Sequence, residues 1–171
     1  MDTLMPPGST APDFSLPDLQ AKAHSLRNYA GRIVLINFWS AECSWSARAD
    51  AALLPHVEKW GEKVVWLSIA CNAGESPQLL AQTAGERRLP LVLLDTDQQV
   101  SDLYHAQVTP HFFVVDAEGM LRYQGAFDDV TFRQRTPTQG YLVNAVEALL
   151  SGKPPHPAQT TPYGCAISRF G

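Results

Sequence analysis

The hydrophobic positions of the chain form two kinds of run, and their order predicts an α/β fold. Ile33 to Trp39 and Val64 to Ala70 are mostly apolar and rich in β-branched residues, which is typical of strands buried on both faces. Apolar residues return at helical spacing in residues 46–60, 76–88 and 141–151, so each segment is predicted to be a helix. Strands and helices alternate, which favours parallel central strands.

Two β-hairpins are predicted in addition. Strands 111–115 and 121–124 are joined by Asp116-Ala117-Glu118-Gly119, a turn sequence with its glycine in place. This hairpin is expected to close the parallel strands with antiparallel ones. The remaining predicted elements are an N-terminal hairpin with strands 13–16 and 23–26 around Pro17-Asp18, a third central strand at 91–94 and a short helix at 100–104.

Changes in composition divide the 171 residues into three segments. Residues 1–12 contain three prolines and little periodicity, and are predicted to be a flexible lead-in. Residues 13–151 carry all the periodic elements and are long enough for one domain with its own core. Residues 152–171 form a proline-rich tail that carries Cys165, and its local shape is predicted to be polyproline II.

Charge and hydropathy exclude several classes of partner. The net charge is −4 and the basic residues are scattered, so no surface for nucleic acid is expected. The mostly apolar run Ile33 to Trp39 has seven residues, which is too short to cross a membrane. Residues 1–12 lack the basic and apolar parts of a signal peptide, so the protein is expected to be cytoplasmic, or exported if a leader preceded the given chain.

The three cysteines, Cys43, Cys71 and Cys165, are too few for a disulfide scaffold and too widely spaced for a zinc site. No metal and no cofactor are therefore expected. Cys43 follows the abrupt end of the strand 33–39 and precedes a helix, whose unpaired N–H groups and dipole favour thiolate over thiol. We predict that Cys43 is a nucleophile; the alternative is an inert buried cysteine.

The neighbours of Cys43 bear on this prediction. Ser46 lies one turn into the helix, where its hydroxyl is predicted to hydrogen-bond the thiolate. Glu42 opposes ionisation of the thiol unless its carboxylate points into solvent. Trp45 is expected at the surface beside the nucleophile. Asp50 is expected to be an exposed helix residue, with a buried carboxylate that handles protons as the alternative. The other tryptophans are expected in the core: Trp39, Trp60 and Trp66.

Three motifs stand in a characteristic order around this cysteine. They are Val34-Leu35-Ile36-Asn37-Phe38-Trp39 running into Cys43, Val108-Thr109-Pro110 directly before Phe112-Phe113-Val114-Val115-Asp116, and Pro12-Asp13-Phe14-Ser15-Leu16 with Leu26 and Tyr29. In this order they resemble the thioredoxin-like superfamily, and within it the redoxin branch of TlpA-type oxidoreductases and AhpC/TSA peroxiredoxin-like proteins. The resemblance covers residues 8–151, and the tail sequence Tyr163-Gly164-Cys165-Ala166-Ile167 is similar to the ending of a peroxiredoxin-like subgroup.

The resemblance implies a thioredoxin-like, three-layer α/β/α fold with a mixed central sheet and an N-terminal β-hairpin extension. It also implies a cis peptide bond between Thr109 and Pro110, which places a bare backbone edge beside Cys43, where a substrate segment adds as a strand. Trp45 is then a further substrate-binding residue. His111 lies next to this groove and is expected to be solvated or structural, with tuning of the thiol as the alternative.

The chain departs from the motifs of that superfamily at several positions. Ser46 replaces the second cysteine of Cys-x-x-Cys, which gives a monothiol Cys-x-x-Ser motif. Glu42 replaces the tryptophan that usually precedes the cysteine in TlpA-type proteins. Ile36 takes the place of the proline in the peroxiredoxin motif, and no arginine can be assigned to bind a peroxide.

An oxidised thiol needs a second thiol to release it. Cys165 is one candidate, because an extended strand from residue 153 to residue 165 spans on the order of 40 Å, enough to reach Cys43 in the same chain or in a dimer mate. The alternative is a disordered tail whose cysteine has no function. Cys71 is the other candidate, because it follows the strand Val64 to Ala70 at the edge where Cys43 lies; otherwise it is a structural thiol.

We therefore predict a thiol-dependent oxidoreductase of the redoxin type, in which Cys43 attacks a disulfide or a peroxide and Cys165 or Cys71 resolves the product. Its expected partners are a protein disulfide or a peroxide and an unidentified thiol electron donor, with the protein a monomer or a homodimer. The alternative is a non-catalytic module that binds proteins through the cis-proline groove. A copper chaperone is not expected, because the chain has no Cys-x-x-x-Cys pair.

Overall fold

The computed structural model describes residues 5–170, and its centre is a five-stranded mixed sheet. The strands are β1 (Ser15–Pro17), β2 (Ala23–Ser25), β3 (Ile33–Trp39), β4 (Val64–Ala70), β5 (Val92–Leu94), β6 (Val108–Thr109), β7 (His111–Val115), β8 (Leu121–Gly125) and β9 (Cys165–Ala166). The helices are α1 (Ser44–Trp60), α2 (Pro77–Arg87), α3 (Gln99–Leu103) and α4 (Tyr141–Leu150).

The central sheet has the order β5-β4-β3-β7-β8, with β3, β4 and β5 parallel and β7 and β8 antiparallel to their neighbours. The predicted parallel core closed by an antiparallel hairpin is therefore confirmed. β1 and β2 form the predicted N-terminal hairpin. β6 and β9 pair with each other outside the central sheet, and they are the elements that matter most for the site.

Each face of the sheet buries its own hydrophobic cluster, which is why β3 and β4 have no exposed positions. On one face, Leu35 and Trp66 pack with Leu53 of α1 and Leu142 of α4. The opposite face packs against α3 and the β1–β2 hairpin. The residues of that second cluster include Phe14, Leu16, Val34, Ile36, Phe38, Leu67, Ile69, Val100 and Tyr104. Trp39, Trp60 and Trp66 are buried, as predicted.

The lead-in and the tail both lie against this domain. The amide of Gly8 donates to the carbonyl of Leu121 (2.6 Å), and the amide of Ala11 donates to the carbonyl of Gly119 (3.0 Å), so residues 8–11 run beside the β7–β8 hairpin. Residues 1–4 of the lead-in and residue 171 of the tail lie outside the described residues. The division at residues 12 and 152 stays a prediction.

The tail leaves α4 and crosses the molecule along β8. The amide of Gln124 donates to the carbonyl of Ala158 (3.1 Å), and the amide of Thr160 donates to the carbonyl of Gln124 (3.0 Å). Beyond this point the chain reaches β9, at the edge of the domain that holds Cys43. Within residues 5–170, no helix has the length and apolar character needed to cross a bilayer.

A candidate disulfide redox centre

Cys43 and Cys165 form a disulfide across 122 residues of sequence, with their Cα atoms 6.1 Å apart. The monothiol description of the chain is therefore wrong. Ser46 occupies the position where a local second cysteine would stand, but the partner of Cys43 comes from the tail instead. Sequence spacing alone did not exclude a pairing of Cys43 with Cys71, because which cysteine lies near Cys43 depends on the three-dimensional path of the chain.

Cys43 is placed by the junction between β3 and α1. It is the N-terminal cap residue of α1, next to the amide groups of the first helical turn. Its sulfur lies 3.2 Å from the carbonyl oxygen of Thr109, a position from which a reduced thiol can donate a hydrogen bond. The side chain of Glu42 is exposed, which is the condition under which this carboxylate does not oppose a thiolate at Cys43.

Ser46 is fully buried and holds the loop that leads to Cys43. Its hydroxyl oxygen accepts a hydrogen bond from the amide of Ser40 (3.4 Å), and the structure shows no hydrogen bond between it and the sulfur of Cys43. Its contact with a thiolate stays a prediction. In the disulfide form its visible effect is to fix the turn between β3 and α1.

The peptide bond between Thr109 and Pro110 is cis, as the resemblance implied. It places β6 beside the disulfide, but the edge of β6 is not free. β9 pairs with it in antiparallel register, so that Cys165 lies opposite Thr109 and Ala166 lies opposite Val108. The edge expected to receive a substrate segment is therefore occupied by the chain's own tail.

Trp45 lies in the first turn of α1 and is half-buried, because the tail covers it. Its ring meets the ring of Tyr163 edge to face, with centroids 4.9 Å apart. The hydroxyl of Tyr163 in turn accepts a hydrogen bond from the amide of Phe132 (2.9 Å). Trp45 thus contacts the residue two positions before Cys165.

A polar cluster that sequence analysis missed holds the Cys43 loop and the tail together. The carboxylate of Glu75 accepts hydrogen bonds from the hydroxyl of Ser40 and from the amide of Ala41 (3.0 Å). The side chain of Asn72 donates to the Ser40 hydroxyl (2.8 Å) and accepts from the amide of Ser168 (2.9 Å). Asn72 stands just beyond the C-terminal end of β4, and polar residues at that sheet edge are the signal that could have identified it.

Asp50 was expected to be exposed, and this was wrong. Its side chain is fully buried, and one oxygen accepts hydrogen bonds from the indole N–H of Trp39 (2.7 Å) and from the guanidinium of Arg87 (3.0 Å). Arg87 also donates to the carbonyl of Ala41 (2.7 Å), so the pair supports the loop before Cys43. Burial raises the pKa of Asp50 to about 6, which outweighs the opposite effect of Trp39 and Arg87.

We expect the titration of the buried Asp50 to make the free energy of unfolding depend on pH, and we expect D50N to remove this dependence. The pKa is about 6 in the folded protein against an ordinary value near 3.8, so the folded state holds the extra proton between these values. The free energy of unfolding should therefore fall as pH rises from about 4 to about 6, by about 3 kcal/mol. Urea unfolding of wild type and D50N across this range measures it, because subtracting the two profiles cancels every other titrating group. Parallel profiles would show that Asp50 titrates normally.

His111 has a structural environment. It is fully buried, its Nδ1 accepts a hydrogen bond from the amide of Gln107 (3.2 Å), and its ring stacks on Phe113 at 4.5 Å. Burial lowers the pKa of His111 to about 4, so the ring is neutral at pH 7. This agrees with the structural role, one of the two roles expected for His111.

Cys71, the other candidate for resolving Cys43, is a buried free thiol. Burial raises the pKa of Cys71 to about 12, and the carboxylate of Asp95 adds to this effect. Cys71 is therefore a protonated, poorly reactive thiol at neutral pH. The geometry supports the structural alternative for this residue.

Comparisons with known proteins agree with this architecture. The thiol-disulfide oxidoreductase ResA of Geobacillus thermodenitrificans is 35% identical over 121 residues, which are 67% of this chain and 66% of the relative. A hypothetical protein from Sinorhizobium meliloti 1021 has a solved structure that superposes with a TM-score of 0.88 at 27% identity and covers 99% of this chain and 98% of that one. The thioredoxin domain of a thiol-disulfide oxidoreductase from Bacteroides vulgatus, with a TM-score of 0.68, 23% identity and coverage of 85% and 98%, shows the same thioredoxin-like fold.

The match to ResA spans just under two thirds of that relative's length. The sequence profile of the AhpC/TSA family matches residues 7–124, which include Cys43 and Pro110 and end well before Cys165. The tail and its cysteine are thus an addition to the matched region. The chain belongs to the AhpC/TSA family.

Proposed function

We propose that this protein is a thiol-disulfide oxidoreductase whose redox-active pair is Cys43 and Cys165. The observation that carries the proposal is the disulfide between the cap residue of α1 and the tail, next to the cis-proline. The ResA relatives bear the name of this activity, which supports it. Thr109, Pro110 and Trp45 are proposed to contact the substrate, since Thr109 contacts the sulfur of Cys43, Pro110 lies beside Gly164 and Trp45 packs on Tyr163.

Cys43 is proposed as the nucleophile because of its place in the fold. It stands at the positive end of the α1 dipole, whereas Cys165 lies in the short strand β9 with no helix behind it. The thiolate of Cys43 attacks one sulfur of a substrate disulfide. A Cys43–substrate disulfide forms and the other substrate sulfur leaves as a thiolate.

The thiolate of Cys165 then attacks the sulfur of Cys43. The internal disulfide forms, and the second substrate cysteine leaves reduced, so the substrate gains two electrons and the protein loses two. An external thiol donor regenerates the dithiol by the same exchange in reverse. That the electron donor is a thiol and that the protein is cytoplasmic stay predictions.

The surroundings of Cys43 favour a disulfide over a peroxide as substrate. The guanidinium of Arg87 is bound to Asp50 and to the carbonyl of Ala41, and that of Arg48 forms a two-point ion pair with Asp128 (2.5 and 3.1 Å). In residues 5–170, no arginine is hydrogen-bonded to the sulfur of Cys43. A cation aimed at the thiolate is what peroxide reduction would need most.

The test compares C43S with C71S, a matched cysteine substitution outside the proposed pair. We expect C43S to lower the catalysed reduction of insulin disulfides by dithiothreitol by about a hundredfold or more, to the uncatalysed rate, and C71S to leave it nearly unchanged. Adding hydrogen peroxide to the reduced protein and counting free thiols separates the two chemistries. Rapid stoichiometric loss of thiols would support a peroxidase instead. A wild-type protein that does not accelerate insulin reduction would support the non-catalytic binding module, and full activity of C43S would mean that Cys43 is not the nucleophile.

A further inference from the structure

The pairing of the tail with β6 indicates which residue types a peptide segment bound at this edge can carry. In the antiparallel register of β6 and β9, the residue before Cys165 lies beside the cis-proline. That residue is Gly164. A Cβ atom at this position would overlap the carbonyl oxygen of Thr109 and crowd the Cδ atom of Pro110.

Glycine is required at position 164 because there is no room for a side chain. Gly164 does not have the positive φ that would call for glycine by itself. The obstacles are a backbone oxygen and a proline ring, and neither is the movable end of a flexible side chain. The same oxygen of Thr109 lies 3.2 Å from the sulfur of Cys43, so moving it would also disturb the nucleophile. Any segment that brings a cysteine to Cys43 in this register meets the same obstacle.

We propose that Tyr163 to Ala166 occupy the binding site of a partner protein's segment, and that this site selects an extended strand with glycine immediately before its reactive cysteine. The inference rests on the proposed function and adds a substrate preference to it. Main-chain pairing with β6 supplies affinity without regard to sequence, so selectivity comes from the one position where a side chain does not fit.

The partner segment must displace the tail, and the anchors of the tail make this possible. Once the disulfide is reduced, Tyr163 is held through Trp45 and the amide of Phe132. On the far side, Ser168 is held by Asn72 and by the side chain of Gln98, which donates to its carbonyl (2.7 Å). The amide of Ala73 also donates to the carbonyl of Ser168 (3.0 Å), and Arg169 pairs with Asp102 (2.6 Å). All of these contacts and the β6–β9 pairing are non-covalent, so a competing strand can replace them.

The first experiment uses the full chain carrying C71S and C165S, so that Cys43 is the only thiol. The probes are two peptides, Thr-Pro-Tyr-Gly-Cys-Ala-Ile and the same sequence with alanine in place of glycine, each joined through its cysteine to thionitrobenzoate. Attack by the Cys43 thiolate on the peptide sulfur forms the protein–peptide disulfide and releases the thionitrobenzoate anion, which is followed by its absorbance. Mass spectrometry confirms the adduct.

We expect the glycine peptide to react at least about tenfold faster than the alanine peptide with the protein. With glutathione in place of the protein, the two peptides should react equally. Equal rates with the protein would overturn the substrate preference and leave the proposed function standing. Reaction of neither peptide faster than with glutathione would overturn both.

A third substitution tests whether the tail competes for the site. Adding G164V to the C71S and C165S protein should prevent the tail from docking on β6, because the valine side chain meets Thr109 and Pro110. The glycine peptide should then react several times faster than with the parent variant, since no tail must be displaced. An unchanged rate would overturn the claim that the tail occupies the partner's site.

Discussion

C165S is expected to lower turnover about a hundredfold while leaving the first exchange step at its wild-type rate. The tail presents its thiol to Cys43 at an effective concentration of millimolar or more, whereas an external reductant at about 10 μM competes at roughly a hundredth of that. Without Cys165, the protein should stop as the Cys43–substrate disulfide. Steady-state assays at low reductant give the turnover, and mass spectrometry of acid-quenched samples detects the trapped species.

C71S is the control for this experiment, because it removes a cysteine that is buried and outside the disulfide. It should turn over like wild type and accumulate no mixed disulfide. Turnover of C165S at the wild-type rate would mean that another thiol resolves Cys43. Trapping that is seen in C71S instead would assign the resolving role to Cys71.

Reduction of the Cys43–Cys165 disulfide is expected to lower the free energy of unfolding by about 4 kcal/mol. The bond closes a loop of 122 residues, and opening it returns a large conformational entropy to the unfolded chain. It also removes the covalent link that keeps the tail in place, so that only non-covalent contacts, such as those with Trp45 and Asn72, still hold the tail. Urea unfolding followed by fluorescence, with and without reductant, measures the difference.

The stability of C165S should not respond to the reductant and should match that of the reduced wild type. A reduced wild type within about 1 kcal/mol of the oxidised protein would contradict the expected effect, and would mean that the tail docks as firmly without its covalent link.

Sequence patterns predicted the parts of the site that depend on local order. β3 is buried on both faces, so its unbroken apolar run identified both the strand and the corner at Cys43. The cis-proline was implied by the family resemblance of the motif around Thr109 and Pro110. The structure confirmed both features, because each depends on a few neighbouring residues.

The rest of the site depends on contacts between distant segments, which periodicity does not reveal. Asp50 was expected to be an exposed residue of α1, but Arg87 of α2 gives it a buried partner, which allows the carboxylate to lie inside the protein. Glu75 and Asn72 lie in a loop without any periodicity. The route of the tail depends on pairing with β8 and β6, so the sequence favoured Cys165 but left Cys71 open as the partner of Cys43 until the structure showed the disulfide.

The passage of the tail along β8 has a consequence for solubility. β8 is an edge strand of the central sheet. On the outer side of β8, the amide and the carbonyl of Gln124 hydrogen-bond residues 158 and 160 of the tail. An outer strand left bare is a template on which another copy of the chain can assemble. The segment that carries the second cysteine thus also covers part of this strand edge. Truncation would expose the edge as well as remove the thiol, so point substitutions isolate the chemistry of the tail better.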